Sequence, residues 1–100
     1  MQKVNLKEVI EKGAIIIDVR TKEEFMQEHG AGSINVPLDE LPGAMEWLIK
    51  DVPAIVCCAS GTRSAMAKMI LEANGFKEVY NGGPWNSLGE YGAGGACPVK

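Results

Sequence analysis

The chain lacks any apolar run near the roughly 20 residues needed to span a bilayer. Its opening residues, Met1-Gln2-Lys3-Val4-Asn5-Leu6-Lys7, lack the apolar centre of a secretory signal. Membrane association is therefore not expected, and the cytoplasm is the expected compartment. Cysteine is scarce. Three residues make an odd count, which leaves at least one thiol unpaired and excludes a disulfide framework. Cys57 and Cys58 are adjacent rather than spaced as zinc ligands, and the single histidine, His29, adds little, so neither a metal nor a cofactor is expected. Excess charge is also small. The net charge of -3 exerts no long-range pull toward nucleic acid or acidic membranes. A small anionic ligand would have to be held by local positive potential.

What is present describes one globular domain spanning residues 1–100. Apolar residues make up 46% of the chain and charged residues 23%, proportions ordinary for a soluble fold with a real core. A monomer is expected. Residues 89–100 form a glycine-rich tail with weak structural signals.

Apolar, β-branched runs at Ala14-Ile15-Ile16-Ile17 and Ala54-Ile55-Val56-Cys57 suit strands buried on both faces. Further strands are expected at Val4, at Ser33 to Val36 and at Phe76 to Tyr80, with Asn81-Gly82-Gly83-Pro84 as a turn. Helices are expected over Leu6 to Lys12, Lys22 to Glu28, Gly43 to Lys50 and Ser64 to Asn74, with a helical turn at Leu38 to Leu41. Thr21 with Glu24 three residues on reads as a capping box. Met45, Leu48 and Ile49 are expected to face inward, Trp47 and Phe25 to join the core, and the Met66/Met69 pair to pack on its helix. Strands alternating with helices over short connections indicate an α/β fold, a mostly parallel five-stranded sheet with helices on both faces. Ligand sites in such sheets lie at the carboxyl ends of the strands, where Asp18 and Cys58 both fall.

Cys58 opens the run Cys58-Ala59-Ser60-Gly61-Thr62-Arg63-Ser64, between a buried strand and the strongest helix. That order sets a thiol against a bowl of backbone N–H groups closed by a helix N-terminus and an arginine. Each of these favours negative charge, so the thiol is acidified and an anion is held beside it. Gly61 permits a backbone conformation that strains other residues, and the Ser60 and Thr62 hydroxyls are available as further donors. Strand alternation turns Cys57 the other way, toward packing.

Ile16-Ile17-Asp18-Val19-Arg20, Glu24-Phe25, Glu28-His29, Gly32-Ser33-Ile34-Asn35-Val36-Pro37, the Cys58 loop and Asn81-Gly82-Gly83 occur in an order that resembles the single-domain rhodaneses, from about Val4 to Val99. The resemblance implies a three-layer rhodanese fold and a sulfurtransferase. In that reading the Cys58 thiolate takes sulfur from thiosulfate or a persulfide and holds it as a persulfide. It then passes the sulfur to cyanide in vitro, or to a thiol or a protein in the cell. Residues 59–64 bind the anion or persulfide, and Asp18 and Arg20 support the site. Asp18 is expected to accept hydrogen bonds from the loop, and Arg20 to pair with Glu24 or Glu28. His29 is read as a structural hydrogen-bonding group, and Trp85 as a wall of the pocket or a cover for the core. Cys97 is read as a packing residue, with a redox switch against Cys58 as the alternative.

Two other activities stand beside this one. A sulfur carrier or protein-interaction module would use Cys58 without turning over free substrates. The cell-cycle phosphatases that share the fold have a loop one residue longer. From Cys58 to Arg63 this chain has six residues, the sulfurtransferase length, and Cys57 stands where those phosphatases typically have histidine.

Overall fold

The computed structural model describes residues 6–30 and 32–88. The strand expected at Val4, Cys97 and the tail over 89–100 lie outside the described residues. In chain order the elements are α1 (Leu6–Glu11), β1 (Ile15–Asp18), α2 (Lys22–Gln27), β2 (Ile34–Asn35), a 3-10 turn (Leu38–Glu40), α3 (Leu41–Ala44), β3 (Ala54–Cys58), α4 (Thr62–Ala73), β4 (Val79–Pro84) and a closing 3-10 turn (Trp85–Leu88). Among the described residues the sheet has four strands rather than five, in the order β2-β1-β3-β4, and every pairing is parallel. None of the described helices is long and apolar enough to cross a membrane.

Side-chain alternation along the two central strands builds a core on each face of the sheet. Ile16, Ile55 and Cys57 meet Val9 and Ile10 of α1. Ile17, Ala54, Val56 and Cys58 meet Leu41 and Ala44 of α3 and Ala67 and Leu71 of α4. The fold is thus α/β with helices on both faces, and the two adjacent cysteines point into opposite cores.

Three expectations change. The helix placed over 43–50 is the shorter α3, started by Pro42 at its first turn, where proline loses no hydrogen bond. The chain then turns irregularly toward β3. Leu48 is buried, but Trp47 and Ile49 are 58% and 59% exposed, so neither joins the core. On α4 the buried face is Ser64, Ala67 and Leu71. Its small residues let the helix sit close to the sheet and leave Met66 and Met69 at the surface.

The third change bears on the site. The strand expected to end at Tyr80 instead runs from Val79 to Pro84, through the residues read as a turn. Val56 pairs with Asn81 but Cys57 pairs with Gly83, so Gly82 is the extra residue of a β-bulge. Glycine and proline are poor strand formers, yet β4 is an edge strand, where both are tolerated. Gly83 takes a left-handed φ of 77°, which a side chain at that position would strain.

Candidate functional site

β3 delivers Cys58 at its last position, and the chain turns at once into α4. The turn depends on Gly61, whose φ of 102° is open to glycine and strained for other residues. The same glycine passes close to β4, where an added Cβ would stand 3.6 Å from the Gly83 Cα. The loop thereby curls over the Cys58 sulfur.

That sulfur sits inside a cage of donors. The Gly61 N–H donates to Sγ at 2.9 Å and the Ser64 N–H at 3.4 Å, while the thiol donates to Ser64 Oγ at 3.6 Å. Burial alone pushes the thiol up. Hydrogen bonds from the Ser64 hydroxyl and from the Ser64, Gly61 and Ser60 N–H groups outweigh that and hold it below its ordinary value. On the opposite face Cys57 is pushed up to about 12, by burial first and then by the charge of Asp18.

Of the loop residues, Ser64 is fully buried and Ala59, Ser60 and Thr62 are exposed. The Ser60 and Thr62 hydroxyls face each other at 3.4 Å, and it is Ser64 whose hydroxyl reaches the sulfur. Asn81 holds this arrangement. Its Nδ2 donates to the Gly61 carbonyl at 3.2 Å, and its Oδ1 accepts from the Ser64 hydroxyl at 2.6 Å and from the Gly83 N–H at 2.9 Å. The sequence placed Asn81 in a turn. Only the bulge in β4 aims it at the loop.

Asp18 and Cys58 end neighbouring strands, with Asp18 in register with Cys57. Topology thus brings them to one edge of the sheet, but the Asp18 carboxylate is turned to Arg20 rather than to the Cys58 loop. It accepts from the Arg20 main-chain N–H at 3.0 Å and from Nη2 at 2.8 Å, in a pair that is almost wholly buried. Arg20 therefore pairs with Asp18, not with the carboxylates of Glu24 or Glu28. From Glu24 and Glu28 it takes main-chain carbonyls, at 3.4 and 2.8 Å. Its guanidinium also lies 4.6 Å from the centroid of the Trp85 ring. His29 donates its Nδ1–H to the Phe25 carbonyl at 2.8 Å and stacks on the half-buried Phe25 ring at 3.8 Å.

The carboxylate of Glu24 pairs with Arg63, at 2.9 Å to Nη1 and 3.3 Å to Nη2. The Arg63 bond, with help from the Thr21 N–H, lowers Glu24 to about 2, so it is ionised at any working pH. The capping box seen in the sequence is present, and the same Glu24 completes it. Nothing local in the sequence joins Glu24 to a residue 39 positions away. Beside Arg63 lies an open hollow of about 360 Å³, lined by Val19, Thr21, Pro37, Leu38 and Asp39.

Comparison with known proteins agrees with this geometry. Residues 3–83 match the sequence profile of the Rhodanese-like domain. Thiosulfate sulfurtransferase PspE of Escherichia coli (strain K12) is 39% identical over 69 residues, which cover 67% of this chain. The chain spans 66% of the PspE length, a little under two thirds. Thiosulfate sulfurtransferase GlpE of Coxiella burnetii is 33% identical over 75 residues, covering 74% of this chain and 70% of that protein. A solved rhodanese with anions from E. coli superposes with a TM-score of 0.66 at 37% identity, over 74% of this chain and 89% of that one. A parallel α/β sheet, a cysteine loop closed by a helix N-terminus and a profile match over most of the sequence agree, and the chain belongs to the rhodanese-like domain family.

Proposed function

We propose that this protein is a sulfurtransferase that works through a persulfide on Cys58. The observation that carries the reading is the donor cage. One cysteine of an adjacent pair is held below its ordinary value by amide N–H groups and a serine hydroxyl around its sulfur, and the other is pushed up to about 12.

The steps balance without a cofactor. The Cys58 thiolate attacks the outer sulfur of a donor such as thiosulfate. A new S–S bond forms, the donor's S–S bond breaks, and sulfite leaves with its electron pair. The terminal sulfur of Cys58-S-S⁻ keeps the negative charge beside donors that are already oriented, so little reorganisation is needed. The Ser64 hydroxyl carries one proton, which turns from Asn81 to the sulfur when Cys58 is ionised. A cyanide or thiolate acceptor then attacks the terminal sulfur and Cys58 leaves as thiolate. Cytoplasmic thiols and proteins are the acceptors we propose.

The test is to incubate reduced protein with thiosulfate, and separately with a low-molecular-weight persulfide, digest without reductant and weigh the peptides. One added sulfur on the peptide holding both cysteines, kept in Cys57→Ser and lost in Cys58→Ser, is expected. Sulfur that follows Cys57, or a protein that takes none from either donor, would overturn the proposal. Cyanide or thiol should discharge it with turnover. A single discharge to a protein partner without turnover on small acceptors would identify a carrier instead.

A further inference from the structure

Arg63 is the single cation of the Cys58 loop, and its guanidinium is raised above its ordinary value, first by the hydrogen bond to Glu24 and to a lesser degree by the charge of Cys58. It is already occupied. Glu24 meets it with both carboxylate oxygens, and the side chains are 34% and 39% exposed, so the pair is open to solvent at the start of α4, where the Cys58 loop ends. Around it, Glu23, Asp39 and Glu40 outnumber Lys22 in lining an adjoining hollow. The loop's one cation is thus balanced, and the hollow next to it is predominantly acidic.

This weighs unequally on different donors. Coulomb energy is proportional to charge, so whatever factor this charge arrangement imposes on a monoanion is squared for a dianion. Thiosulfate carries two charges. A persulfide R-S-S⁻ carries one on its reacting end, and its transfer balances as Cys58-S⁻ plus R-S-S⁻ giving Cys58-S-S⁻ plus R-S⁻. Resting on the sulfurtransferase reading, we propose that Glu24 is a specificity-determining residue: by holding Arg63 it disfavours free dianions such as thiosulfate and leaves the loop to donors whose reacting sulfur bears a single charge.

Glu24→Gln separates this role from the helix. Glutamine at the third helical position still completes a capping box, so α2 keeps its N-terminus while the charge is removed. The first readout needs no sulfur transfer. Cys58 is alkylated with neutral iodoacetamide and with anionic iodoacetate, and the ratio of the two rates reports the potential at the sulfur. In Glu24→Gln the iodoacetate-to-iodoacetamide ratio should rise about threefold, and kcat/KM for thiosulfate should rise by about the square, roughly tenfold and chiefly through KM. A cysteine persulfide donor should gain only about threefold. Both gains should shrink in high salt. In the unaltered protein the ratio should stay flat or rise as salt is added.

An unchanged ratio in Glu24→Gln would overturn the inference. So would a wild-type ratio that falls steeply with salt, since Arg63 would then still attract anions; that measurement needs no variant to fold. Thr21→Val disrupts the capping box and removes the hydroxyl's 3.2 Å bond to Glu24 Oε1, but leaves both charges of the Glu24–Arg63 pair in place. If it reproduced the Glu24→Gln result, the effect would belong to α2 and the inference would fail. Because alkylation is read separately from transfer, a protein that shifts its ratio but moves no sulfur would count against the sulfurtransferase reading alone.

Discussion

Cys57 and Cys58 are one residue type, one peptide bond apart, and their sulfurs meet opposite conditions. Cys57 faces the α1 core and the charge of Asp18. Cys58 faces amide N–H groups and the Ser64 hydroxyl, whose hydrogen bonds to a thiolate more than offset burial. Alkylation of Cys58 should therefore set in at a lower pH than for an ordinary thiol, while Cys57 stays silent until the protein is unfolded. A thiol held low is deprotonated sooner as pH rises, so removing a donor must move the profile upward. Ser64→Ala should do so and slow alkylation near pH 7 about tenfold, the cost of one hydrogen bond to a charged group. The rate against pH, read by peptide mass spectrometry, checks both. Asp18 belongs to a different residue-scale problem. Its carboxylate compensates an Arg20 that is 4% exposed, and a buried charge left alone is costly. Asp18→Ala should lower stability by about 3–5 kcal/mol in urea unfolding. A loss under about 1 kcal/mol would mean that Trp85 and the main-chain carbonyls suffice for Arg20.

At the scale of elements, two short pieces of chain set the site's geometry. α2 has only six residues, too few to persist alone, and its capping box supplies the bonds its first turn lacks. Thr21→Ala should cost about 1 kcal/mol in thermal or urea unfolding, with Thr21→Ser recovering most of it. β4 contributes through its bulge. The extra residue at Gly82 turns Asn81 onto the Gly61 carbonyl and the Ser64 hydroxyl, and the edge strand becomes a buttress for the cysteine loop. α4 contributes through small residues, since Ser64 and Ala67 let its N-terminus approach the end of β3.

The whole molecule is joined by contacts that no single element makes. Glu24 links α2 to α4, and its folded value near 2 lies well below the 4.5 of an unperturbed glutamate. A lowered carboxylate stabilises the fold fully above its unfolded value, and that contribution fades as pH falls toward the folded one. Unfolding followed from pH 5 downward should therefore show wild-type stability falling between about 4.5 and about 2, with part of the slope absent in Glu24→Gln. Parallel slopes would mean that the exposed pair contributes nothing measurable, as many surface pairs do.

Much of the architecture is written in local stretches of the chain. Runs of β-branched residues named the two central strands, because a strand covered on both faces must be apolar at every position. Thr21 and Glu24 named a helix start, because the capping box is local. The placement of Cys58 before Ser60-Gly61 and ahead of a strong helix named the loop, because a left-handed glycine and a helix N-terminus are written in adjacent residues. Four strands, rather than the expected five, are found among the described residues. The remaining features depend on residues far apart in the chain. Periodicity marked Met66, Met69 and Trp47 as apolar and did not reveal which face the sheet would cover. Asn81-Gly82-Gly83-Pro84 has the composition of a turn, and only pairing with β3 draws it into a strand. Glu24 is a helix cap in the sequence. In the fold it is also the partner of Arg63, because ion pairs follow distance in space rather than distance along the chain.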